Sequence, residues 1–197
     1  MTKGLAVAAA AAFAVGVLAT GGAAWAEGSM SVLGTNAAGH CSEAAATAAR
    51  GGRASAEGVE ACDDAIKHVA LSSEELAASY VNRGVLHLAL NNYAAAVADD
   101  DAALQIEANL PDALVNRGAA LAGQKRFADA IKDFDRALTL SPRFPQRVYY
   151  NRGLAREDLG DLKGAYLDYL KASQLDPSWD RPKSELARFT VSKAAQG

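Results

Sequence analysis

Tyr80-Val81-Asn82-Arg83-Gly84, Leu114-Val115-Asn116-Arg117-Gly118 and Tyr149-Tyr150-Asn151-Arg152-Gly153 are one segment written three times. The glycines stand 34 and 35 residues apart. An alanine follows each glycine by twelve residues (Ala96, Ala130, Ala165) and another by nineteen (Ala103, Ala137, Ala172). Pro142 and Pro177 close two of the units, whereas the first has Ala108 there and Pro111 slightly later. Between these markers run two amphipathic stretches per unit, each of about three turns. They are residues 77–91 and 93–107, then 111–125 and 127–140, then 147–160 and 162–175. Asn91-Asn92, Lys125-Arg126 and Gly160-Asp161 supply the helix stops between them.

The period, the glycine and the paired alanines resemble the tetratricopeptide repeat, a helix–turn–helix unit of about 34 residues. The resemblance covers residues 77–177. It implies an all-α, right-handed solenoid of stacked hairpins with a C-terminal capping helix, acting by binding other proteins. Glycine inside a helix costs about 1 kcal/mol relative to alanine. Three at one register therefore point to close approach, with Gly84, Gly118 and Gly153 expected against Ala96, Ala130 and Ala165. His87, Leu121 and Arg156 stand where the family favours Tyr. Asp100 stands where it favours a large aromatic such as Phe134 or Tyr169. The first and third units are accordingly expected to pack less tightly than the second.

Upstream, Lys3, an apolar run to about Ala19 and an Ala24-Trp25-Ala26 end form a secretory signal, residues 1–26. Cleavage there takes 26 residues from 197 and leaves 171, with 19 basic and 23 acidic side chains. No basic patch or aromatic–basic interleaving is present, so nucleic acid is not an expected partner. A periplasmic or secreted location without a membrane span follows from the signal. Residues 27–40 are rich in Gly, Ser and Ala and are expected to be flexible. Residues 41–76 read as a degenerate repeat, with helices at 42–50 and 54–70. Aligning Cys62-Asp63-Asp64-Ala65 with Phe134-Asp135-Arg136-Ala137 places Cys62 in a core-facing row. Cys41 then lies opposite on the antiparallel partner. A disulfide is expected in an exported chain, against the alternative of two free buried thiols. His40 with Cys41 offers too few ligands for a metal. The repeats occupy 77–110, 111–145 and 146–178, and residues 179–197 form the capping helix and tail.

At 100° per residue, each Asn points about 160° from its glycine, away from the paired helix. Asn82, Asn116 and Asn151 are therefore expected as a ladder on an inner wall with Val85, Val115, Tyr150, Leu154 and Arg147. A carboxamide offers one acceptor and two donors, which suits a peptide backbone of any sequence. The same row also suits plain bridging between neighbouring helices. With Arg147 its only cation, the wall does not resemble the basic clamp of chaperone adaptors for a C-terminal carboxylate. It fits an apolar peptide better, with Tyr150 as the strongest contact. The alternative is a structural, self-associating envelope module without a peptide ligand. Arg83, Arg117 and Arg152 are expected to pair within their own units with Asp99 or Asp100, Asp133 and Asp168. The run Asp99-Asp100-Asp101 reads as a solvated face with Asp100 anomalous, and His87 as a core residue. No nucleophile, phosphate loop, metal motif or cofactor site is evident, so neither enzyme activity nor a cofactor is expected.

Overall fold

The computed structural model describes residues 35–194, which lie beyond the secretory segment expected at 1–26. Among the described residues there are nine helices and no strand. They are α1 (Thr35–Ala49), α2 (Ala56–His68), α3 (Ser73–Ala89), α4 (Tyr93–Ile106), α5 (Pro111–Gly123), α6 (Phe127–Thr139), α7 (Pro145–Asp158), α8 (Leu162–Leu175) and α9 (Asp180–Ala194). α1, α3, α5 and α7 each pack on the helix that follows, each pair stacks on the next, and α9 packs against α8. The result is an all-α solenoid, with the core running as a stripe along the stack. None of the described helices is long and apolar enough to cross a membrane.

Local chemistry sets the helix ends. The Ser72 hydroxyl accepts from the Glu75 amide while the Glu75 carboxylate takes the Ser72 amide, a reciprocal cap that opens α3 at Ser73, four residues before the expected start at residue 77. Pro111 and Pro145 occupy first-turn positions of α5 and α7, where a missing N–H costs nothing. Each hairpin then turns identically. Asn91, Lys125 and Gly160 take positive φ of 60°, 63° and 82°. The next amides, Asn92, Arg126 and Asp161, close back on the carbonyls of His87, Leu121 and Arg156 at 2.8, 2.9 and 2.9 Å. This shared bond uses only backbone, so those three positions tolerate unlike side chains.

The glycines do allow close approach, but to a different residue from the one expected. A Cβ on Gly118 would lie 2.8 Å from the Phe134 ring, and one on Gly153 would lie 2.7 Å from the Tyr169 ring. The nearest neighbour is thus the side chain sixteen residues on, not the alanine twelve on. Sixteen residues is the spacing that returns an antiparallel partner to the same level across this turn. The third unit is consequently as close-packed here as the second. At Gly84 the neighbour is the smaller Asp100, at 3.2 Å.

At the N-terminal end, α1 begins at Thr35, so residues 35–40 are helical rather than flexible. Nothing in Thr35–Cys41 except Gly39 opposes a helix, and Cys41 is anchored. Its sulfur is bonded to Cys62, with the Cα atoms 4.6 Å apart and both side chains fully buried. Ala45, Val81, Val85 and Leu86 surround that bond. The disulfide closes a loop with a sequence separation of 21. Cys41→Ser/Cys62→Ser is therefore expected to lose about 3 kcal/mol in urea titration. The loss should appear in α1–α3, read by faster amide exchange there.

Candidate functional site

In the stack, α5 touches α6, α4, α3 and α7, so little of its surface is left for an open wall. This crowding decides where the asparagines lie. Asn82 and Asn151 are only 9 % and 8 % exposed, and Asn116 is fully buried. The expected ladder is a buried row, not a displayed one. Val85, Val115 and Tyr150 are buried as well, and only Arg147 and Leu154 of the expected wall keep partial exposure. Besides its partner α6, α5 packs on α3, α4 and α7, and these neighbouring units bury Asn116.

Tyr150 is covered by the chain's own cap. Trp179 lies 4.9 Å away between ring centroids and Tyr169 lies 5.7 Å away, and the Tyr150 hydroxyl donates to Glu185 of α9 at 3.4 Å. Burial raises its phenol pKa, and the Glu185 charge adds to that. Arg188 of α9 also reaches Glu157 of α7. Arg147 stacks on Phe144, 5.3 Å from the ring centroid. Burial lowers its guanidinium pKa, Asp176 opposes the shift and Arg181 reinforces it.

The three arginines form the best-ordered polar feature. Arg117 Nε and Nη2 donate to Asp133 at 2.8 and 2.7 Å, and its Nη1 donates to Asp101 at 2.6 Å. Arg152 grips Asp168 at 2.9 and 2.6 Å and Asp135 at 2.5 Å. Arg83 grips Asp99 and reaches Asp63 at 2.5 Å. Each arginine therefore ties its own hairpin and also the second helix of the unit before. The intra-unit pairs were expected from spacing, but the inter-unit ones were not. Tyr80 and Tyr149 stack on Arg83 and Arg152 at 5.5 and 5.2 Å, steadying two of the three. The carboxylate hydrogen bonds hold the Arg83 and Arg117 protons more tightly than usual, against the effect of burial.

Asp99 and Asp100 are buried at 4 % and 0 % exposure, which overturns the reading of that run as a solvated face. Cys41 is committed to the disulfide and so is not free to bind a metal with His40. His87 is largely enclosed, with Nε2 3.8 Å from Asp99.

The tetratricopeptide repeat sequence profile matches residues 111–144, and a second profile of the same description matches residues 146–178. The chain is a tetratricopeptide repeat protein. The profiles begin at α5 and α7, and the turn and sixteen-residue contact extend the same unit back to α3. Among solved structures, the first tetratricopeptide domain of Spaghetti (RPAP3), bound to the HSP90 peptide SRMEEVD, is 26 % identical. The match covers 61 % of this chain and 95 % of that one with a TM-score of 0.57. The Sgt2 tetratricopeptide domain from Aspergillus fumigatus is also 26 % identical, over 61 % of this chain and 82 % of that one, with a TM-score of 0.55. MamA from Desulfovibrio magneticus RS-1 shares the fold at 22 % identity, over 86 % and 88 % of the two chains, with a TM-score of 0.66. No curated protein matches the sequence significantly.

Proposed function

We propose that this tetratricopeptide repeat protein is an exported, non-catalytic interaction module that holds a peptide segment of a partner protein. The observation that carries the reading is the match to nearly the whole of a peptide-bound domain, 95 % of its length. The internal disulfide is compatible with export to an oxidising compartment. The peptide would run beside Arg147 and Leu154, the members of the expected wall that keep partial exposure. Asn82, Asn116 and Asn151 would lie behind it, buried between the stacked helices.

The wall offers Arg147 as its one cation, so a peptide with apolar side chains suits it better than an acidic tail. The test is fluorescence polarisation with labelled dodecapeptides selected by display on residues 27–197, and with SRMEEVD alongside. Selected apolar peptides should bind, and Arg147→Ala and Leu154→Ala should each weaken them by at least about fivefold, Arg147→Ala at unchanged melting temperature. SRMEEVD should bind more weakly. Failure to select any peptide, or binding indifferent to both substitutions, would overturn the proposal. Light scattering on the same sample addresses the self-association alternative, which requires a stable oligomer.

A further inference from the structure

At one equivalent core-facing position of the second helices the series runs Cys62, Asp100, Phe134, Tyr169, all with no measurable exposure. Three of these suit a dry core. Asp100 does not, and it sits at the contact between the first unit and the second.

Its surroundings are polar without being paired. Both Asp100 oxygens, both polar atoms of the Asn116 carboxamide and Nδ1 of His87 are buried with no hydrogen-bond partner among the described residues. Asn116 of α5 is the polar neighbour across the α4–α5 contact, near Asp100 though not at hydrogen-bonding geometry. Behind Asp100 on α3 lies Gly84, 3.2 Å from the carboxyl when given a Cβ.

No free cation stands ready for an ionised Asp100. From α3, Arg83 is engaged by Asp99 and Asp63, and His87 faces Asp99. From α5, Arg117 is engaged by Asp133 and Asp101. On its own helix, Asp99 and Asp101 repel a further negative charge. A buried, unpaired carboxylate is far costlier than a buried neutral carboxyl.

We propose that Asp100 and Asn116 form a proton-operated latch between the first and second units. With the carboxyl protonated, its O–H donates to the Asn116 carbonyl after a small rotation, and α4 stays closed on α5. With the carboxylate ionised, the two helices part to let water reach it. Burial foremost, then the Asp99 charge and to a lesser degree that of Asp101, pushes the proton affinity of Asp100 well up, with Arg117 and the Asn116 carboxamide only partly opposing.

The sign follows from linkage. Unfolded, Asp100 ionises near its ordinary 3.8, whereas folded it keeps its proton to higher pH. Between those limits the folded chain binds the extra proton, so the stabilisation falls as pH rises from about 4 and is gone once the folded group ionises.

The test is thermal melting of the full chain, of Asp100→Asn and of Asp100→Phe between pH 5 and pH 8, with amide exchange followed by mass spectrometry. The melting temperature of Asp100→Asn should gain on the parent by at least about 5 °C across that range. Amides of α4 and α5 in the parent should exchange about tenfold faster at pH 8 than at pH 5, after correction for intrinsic rates, with α7 and α8 unchanged. Asp100→Phe, facing Gly84 as Phe134 faces Gly118, should abolish the pH dependence and raise the melting temperature throughout. A gap between Asp100→Asn and the parent that does not change with pH would overturn the latch, as would an exchange change spread evenly along the array. If Asp100→Phe does not fold, the Asp100→Asn comparison decides alone.

Discussion

Phe134→Ala is expected to remove about 4 kcal/mol of folding stability, measured as a lower urea midpoint at unchanged slope. The ring is fully buried and fills the space that Gly118 leaves open on α5. It also lies in the cluster with Leu114, Val115, Leu121 and Val148, which joins the second unit to the third. Truncation thus opens a cavity against two units at once. The glycine makes the site unusually poor at collapsing, because no side chain on α5 at that level can move in. A loss below about 1.5 kcal/mol would show that the helices close up over the gap. In that case the fit of glycine to ring is not what sets the hairpin spacing.

Much of this architecture is legible in the chain because its determinants are local and recur. Helix ends at Pro111 and the turn pairs were legible in this way, whereas α3 and α7 begin at Ser73 and Pro145, earlier than the expected 77 and 147. The glycine row was legible as close approach, but its partner was not. Choosing between the residue twelve on and the one sixteen on requires knowing how far the turn advances the second helix. The wall was the least legible part. Direction around one helix is a property of that helix, whereas burial of Asn116 depends on α3, α4 and α7 together. A count made on α5 alone cannot contain them.

The inter-unit half of the arginine contacts did leave a signal. Asp99-x-Asp101 and Asp133-x-Asp135 supply one acid to their own arginine and a second to the next unit's. The terminal units carry half of this pattern each. Ala61-Cys62-Asp63 has only the outgoing acid, and Asp168-Tyr169-Leu170 has only the inward one. Leu170 stands where a next arginine would need a carboxylate. Reading the acids as pairs two residues apart would have shown both the number of units and where the array stops.

That arrangement makes Arg117→Met a sharper perturbation than its partial exposure suggests. Asp133, whose side chain is 10 % exposed, loses both donors, while Asp101, at 46 %, returns to water. The expected loss is about 3 kcal/mol, nearly all of it from the stranded Asp133. Asp101→Asn alone should cost no more than about 1 kcal/mol, as befits a largely solvated partner. Arg117→Met/Asp133→Asn should recover most of the loss, because no charge is then left buried without a partner. Because Arg117 spans α4, α5 and α6, the single variant should also broaden or split the urea transition between the first and second units. Repeat arrays unfold as one only while their neighbour contacts outweigh the instability of single units. Equal losses for Arg117→Met and Asp101→Asn would instead place the energy in the exposed contact. The arginines would then govern how units stack and contribute little to holding each hairpin together.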